Sequence, residues 1–85
     1  MDEKTLKALI AAGAVKRVHL NANGAQFHVR IDTPNDSFVV LTTKGTAKTW
    51  SSLDSAAKWL RNLGLGHIRL DLSHWQPGQR GLNLN

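Results

Sequence analysis

Lys16-Arg17-Val18-His19-Leu20-Asn21-Ala22-Asn23-Gly24-Ala25-Gln26-Phe27-His28-Val29-Arg30-Ile31 is the stretch on which the fold turns. In Val18-His19-Leu20, and again in Phe27-His28-Val29-Arg30-Ile31, apolar residues alternate with histidine or arginine, the period of a half-buried strand. Asn23-Gly24 lies between the two runs and is a strong hairpin signal. A two-residue turn at that dipeptide predicts Leu20 opposite Phe27 and Val18 opposite Val29 on an apolar face. It puts His19 opposite His28 and Arg17 opposite Arg30 on a basic face. Like charges directly opposite one another destabilise a strand pair, so Arg17 and Arg30 need a partner. That partner is either an acidic side chain of the same chain, for which Asp71 is the candidate, or an anion from outside.

Outward from the hairpin, residues 3–12 read as a helix. Leu6, Leu9 and Ile10 form a narrow apolar stripe, with Asp2 as N-cap and Gly13 as a left-handed C-cap. After the hairpin, Thr33-Pro34-Asn35-Asp36 has turn chemistry. Residues 37–43 then read as a third strand, in which Phe38-Val39-Val40-Leu41 is apolar without alternation. Residues 44–49 read as a loop. Ser51 and Asp54 have the spacing of a capping box and open a second helix with the stripe Leu53, Ala56, Ala57, Leu60 and Leu63. Gly64 ends it, with Leu65 folding back on Leu60 as in a Schellman motif. A fourth strand follows, with Ile68, Leu70 and Leu72 inward and His67, Arg69 and Asp71 outward. The order is α-β-β-β-α-β. It predicts an α+β fold in which an antiparallel meander and a fourth strand form one sheet and both helices pack on its apolar face. Which strand the fourth one joins stays open. Residues 1–75 are expected to form one domain, with Trp75 packed back on it, and residues 76–85 a flexible C-terminal tail.

The bulk numbers bound the function. The chain has 85 residues, is 41% hydrophobic and carries a formal charge of +5, an excess that points to an anionic partner such as nucleic acid. It has no cysteine, hence no disulfide framework and no thiolate metal site, which fits a reducing cytoplasm. No apolar run approaches the roughly 20 residues that span a bilayer. The N-terminus does not read as a signal peptide.

Chemistry is sparse. A hairpin pairing of His19 and His28 offers two metal ligands at most, without a carboxylate motif or helical His spacing beside them, so no metal or other cofactor is expected. Ser51 and Ser52 are accounted for by capping. Gly64-Leu65-Gly66 follows a helix, where a dinucleotide fingerprint would follow a strand. The chain is not expected to be an enzyme. The basic sheet face is the candidate nucleic-acid surface, with Arg17, His19, His28, Arg30 and Arg69 on the strands and Lys44 and Lys48 in the loop. No aromatic residue interleaves with these, so base stacking of the single-strand type is not expected. A second candidate surface is apolar: Val39 and Leu41 on the outward side of the third strand, with Trp59 just off the stripe of its helix. It suits a homodimer or another protein partner.

Thr5-Leu6-Lys7-Ala8-Leu9-Ile10-Ala11-Ala12-Gly13-Ala14-Val15-Lys16 and Lys48-Thr49-Trp50-Ser51-Ser52-Leu53-Asp54-Ser55-Ala56-Ala57-Lys58-Trp59-Leu60-Arg61-Asn62-Leu63-Gly64 together resemble small ParC-type partition-associated proteins of plasmids and integrative conjugative elements. The resemblance extends to about Trp75 and rests on caps and apolar stripes. It implies a setting in DNA maintenance or transfer in a bacterial cytoplasm, and it brings no catalytic residues. The function expected is therefore a non-enzymatic accessory of mobile-element maintenance that binds nucleic acid through its basic sheet face. The alternative is a dimeric adaptor for a partition protein that does not touch DNA.

Overall fold

In the computed structural model, which describes residues 1–76, the elements run α1 (Glu3–Ala11), β1 (Arg17–Asn23), β2 (Gln26–Asp32), β3 (Ser37–Val39), β4 (Thr49–Trp50), α2 (Leu53–Asn62) and β5 (Arg69–Asp71). The fold is α+β. One five-stranded sheet has the order β3-β2-β1-β5, with β4 also on β2. The sheet is mixed, since β5 lies parallel to β1 while every other pair is antiparallel. The expected 76–85 tail falls almost wholly outside the described residues.

The helix ends follow from local chemistry. The Asp2 side chain accepts from the Thr5 N–H at 2.9 Å and caps α1. In α2 the N-cap is Ser52, one residue later than the Ser51–Asp54 spacing suggests, and its Oγ accepts from the Ser55 N–H at 3.1 Å. Both helices close in Schellman geometry. The Leu65 N–H reaches the Leu60 carbonyl at 3.1 Å and the Gly64 N–H that of Arg61 at 3.0 Å, while Ala14 and Gly13 repeat the pattern on Leu9 and Ile10. Gly64 has φ +91°, and a Cβ there would meet open space. The cost of Gly64→Ala is therefore backbone strain alone, about 1 kcal/mol. A melting curve for that variant should show a correspondingly small, cooperative loss.

The hairpin register differs from the expected one by two residues. Val18 faces Ile31, Leu20 faces Val29, Ala22 faces Phe27, and Arg17 faces Asp32 rather than Arg30. The turn is Gly24-Ala25. Gly24 has φ +67°, and no described residue other than glycine has positive φ. A type I′ turn on Asn23-Gly24 needs positive φ at both residues, which Asn23 does not adopt. A glycine alone at the first central position is the type II′ pattern. Because the shift is even, every side chain keeps its expected face.

The third strand is also shorter than expected. Its ladder with β2 ends at Val39, followed by one last backbone bond from the Val40 N–H to the Val29 carbonyl at 2.9 Å. The chain then leaves in an excursion closed by the Leu41–Ala47 bridge and rejoins the same edge of β2 as β4. Val40 turns inward and is fully buried, whereas Phe38, on the same side of the strand, remains 38% exposed at the sheet edge. One face of the sheet (Val18, Leu20, Ala22, Phe27, Val29 and Ile31) is buried against Leu6 of α1 and Ala56 and Leu60 of α2. The other face carries no helix among the described residues and is the polar one. Trp75 packs back as expected, its ring 6.1 Å from that of Phe27. Among the described residues, no helix is long and apolar enough to cross a membrane.

Candidate nucleic-acid interface

Strand register lays out the polar face as rows. The middle row reads Arg69, His19, Arg30, Val39 across β5, β1, β2 and β3. To one side lies Asp71, Asn21, His28, Thr49. To the other lies Arg17, Asp32, Ser37, and the β1–β5 register, continued one step, places His67 beside Arg17. His28 thus faces Asn21, not His19. The two-histidine pair expected from the other register does not form.

Asp32 organises the centre of this face. Its Oδ2 lies 2.7 Å from His19 Nε2, and its Oδ1 accepts from the Ser37 hydroxyl. Arg30 Nε is 3.4 Å from Oδ1, an ionic contact without hydrogen-bond geometry. Ser37 lies directly opposite Asp32, His19 diagonally across the pair, and Arg30 two residues back on the same strand, all within reach of one carboxylate. The Ser37 bond first, then the His19 bond, hold the Asp32 carboxyl below its ordinary range, and the positive charge of Arg30 adds to this. The internal partner of Arg30 is therefore Asp32 rather than Asp71. Asp71 accepts from the backbone and hydroxyl of Ser73, which lower its own pKa.

A carboxyl with a depressed folded pKa adds stability that is complete above its unfolded value and is lost as pH falls through the folded one. The Asp32 contribution should therefore be present at neutral pH and disappear below the ordinary aspartate value of 3.8. Asp32→Asn should lower the melting temperature at pH 7 and flatten its fall on acidification below that value. Parallel melting curves of the two proteins from pH 7 to pH 2 check this.

With both Asp32 oxygens engaged, Arg17 opposite it has no carboxylate partner among the described residues. Arg17 and its neighbour Lys16 form a ridge between two open clefts. One, of about 740 Å³, includes Arg30 together with the carboxylates of Asp32 and Asp36. The other, of about 410 Å³, is lined by Lys16, Arg17, Val18, Gly66, His67, Ile68 and Arg69, with no acidic residue among the described ones. The basic face thus divides into a compensated centre, His19 and Arg30 around Asp32, and an uncompensated end.

Lys16 and His67 belong to that end; alternation puts His67 on the polar face with Arg69 but does not place it beside Arg17, and it does not single out Lys16. Only the parallel docking of β5 on β1 brings 67 and 69 beside 16 and 17. Lys44 lies exposed in the excursion between β3 and β4, away from this cleft. Lys48 sits on the opposite, helix-covered side. Its Nζ is 5.6 Å from the Trp50 ring and 5.7 Å from the Trp59 ring, and the two indoles are 4.9 Å apart. The reason is register: Trp50 opposes the buried Phe27, so Lys48, two residues earlier, falls on the same side. Lys58 and Arg61 of α2 are likewise separated from the polar face by the sheet.

The apolar candidates are partly occupied within the chain. Trp59 is half-buried, and its indole N–H donates to Glu3 Oε1 at 3.3 Å. Along the third strand, the Met1 amine donates to the Val39 carbonyl at 2.9 Å, and the Leu41 N–H donates to the Met1 carbonyl at 2.6 Å. Met1 thereby occupies the backbone edge that a pairing strand would use there.

A family model described as ParC-like matches residues 1–79. No curated protein and no solved structure matches the chain.

Proposed function

Since this chain belongs to the ParC-like family and is thereby a small partition-related protein, we propose that it serves plasmid or mobile-element maintenance as a non-enzymatic protein that binds nucleic-acid phosphates in the cleft of Lys16, Arg17, His67 and Arg69. The observation that carries this reading is that no acidic residue among the described ones lines that cleft, while the neighbouring arginine and histidine are held by Asp32. Four nitrogen-bearing side chains around an open concavity suit an anion, and phosphate contacts position a protein on a duplex without reading its sequence. Three of the four are permanently charged, and neutralising three phosphates gives a slope of about −3 in log affinity against log salt. The net charge of +5 supplies the longer-range attraction.

Titration of a fluorescent random duplex at several salt concentrations tests the proposal. Binding that weakens along that slope supports it. No binding at low salt overturns it in favour of the adaptor reading, in which a partition protein docks on the surface around Val39, Leu41 and Trp59 with little response to salt.

A further inference from the structure

β5 is the outer strand of the sheet, paired with β1 on one side and with nothing on the other among the described residues. Sheet edges are usually blunted by prolines, bulges, inward-pointing charges or a covering segment. At the opposite edge Met1 covers Val39 and Leu41. Among the described residues no proline, bulge, inward-pointing charge or covering segment blunts β5, whose one protection is its shortness. Its three residues are Arg69, Leu70 and Asp71. Leu70 opposes the buried Leu20 and so points to the helix-covered side, yet it is 46% exposed, and Leu72 is 38% exposed. No described element covers these leucines.

We propose that this edge pairs with the same edge of a second copy of the chain, antiparallel and centred on Leu70, joining the two sheets into one. The sequence of the edge is self-complementary in that register. Leu70 meets Leu70 of the other copy, and Ile68 meets Leu72, all on the helix-covered side. On the polar side, Arg69 meets Asp71 twice, once in each direction. Opposite charges directly across an antiparallel pair stabilise it, and like charges would oppose it. Both Ser73 bonds fall on Asp71 Oδ1, so Oδ2 can accept from a guanidinium across the edge, in addition to the field of His74 and Arg30 of its own chain. The two-fold axis stands perpendicular to the sheet, so the helices of both copies share one side and the polar faces share the other. In the dimer Arg69 turns to Asp71 of the other copy, so the phosphate cleft keeps Lys16 and Arg17 and a salt slope of about −2, against about −3 in the monomer; the cross-linking test contains no DNA.

The chain has no cysteine, so single-cysteine variants of the full protein report one site each. Residues opposite one another in an antiparallel pair have Cα separations of about 4.5–5.5 Å, inside the disulfide range. Leu70→Cys should form a disulfide-linked dimer under mild oxidation. Phe38→Cys, at a similarly exposed position on the far edge, reports random collision and should cross-link more slowly by on the order of tenfold or more. Adding Arg69→Asp to Leu70→Cys sets two like-charge pairs across the edge and should bring its rate down to that of Phe38→Cys. Adding Asp71→Arg as well should restore fast cross-linking. Equal rates for Leu70→Cys and Phe38→Cys overturn the proposal, as does an Arg69→Asp background that cross-links as fast as the parent. If the charge-swapped protein fails to fold, the first two comparisons still decide.

Discussion

Lys16→Ala combined with Arg17→Ala should reduce duplex affinity roughly fifty-fold at 0.1 M salt and flatten the salt slope by about two, one for each phosphate no longer neutralised. Both residues line the acid-free cleft, and neither lies on the β5 edge, so the variant tests phosphate binding without touching the proposed self-association. The structure should survive. Both side chains are exposed, Arg17 has no ion pair among the described residues, and the contact that ties residue 16 to the sheet is its backbone N–H on the Asp32 carbonyl at 2.7 Å. Substitutions at such positions usually change stability by no more than about 0.5 kcal/mol. Arg30→Ala makes the instructive contrast, because Arg30 already neutralises Asp32. It should alter acid stability more than affinity. Duplex titrations and melting curves on the same variants separate the two effects. If the double variant binds as tightly as wild type, the phosphates lie elsewhere.

Leu60→Ala should be the most damaging single truncation on α2, costing about 2–5 kcal/mol. Leu60 is fully buried in the cluster that holds α2 on the sheet. A domain of this size has a total stability of roughly 5–10 kcal/mol, so the loss takes a large share of it. At about 4–8 °C per kcal/mol, the melting temperature should fall by some tens of degrees at the upper end. Leu63→Ala, on the same stripe but only half-buried, should cost clearly less. Urea titrations of both variants check the ranking. Equal losses would mean that α2 sits on the sheet with a different face inward.

That ranking shows how far periodicity reaches. The spacing of Leu53, Ala56, Ala57, Leu60 and Leu63 identifies a helix and its buried side, because 3.6 residues per turn is a local property of the backbone. Spacing does not say that Ala56 and Leu60 reach the centre while Leu53 and Leu63 stop at its rim. Depth depends on where the axis of the helix lies over β2 and β4. The excursion between β3 and β4 was hidden for a similar reason. Phe38-Val39-Val40-Leu41 reads as one continuous strand, and only the pairing partners show that the chain leaves β2 after Val40 and returns nine residues later at Thr49.

The sequence by itself determined the α+β class, both helices with their glycine ends, the hairpin, and the division of each strand into an apolar and a polar face. These follow from a period-2 pattern, from caps that act within one turn, and from the left-handed conformation that only glycine takes cheaply. Even a two-residue error in register leaves the faces intact. Tertiary structure alone decided which charges meet. Moving the turn from Asn23-Gly24 to Gly24-Ala25 set Asp32 opposite Arg17, and the diagonal His19 and the opposing Ser37 then engaged its two oxygens. The parallel docking of β5 on β1 brought His67 and Arg69 to the arginine left unpaired. Charge partners are fixed by contacts between residues far apart in the chain. Local periodicity reports which side of a strand a residue occupies and carries no information about what stands across from it.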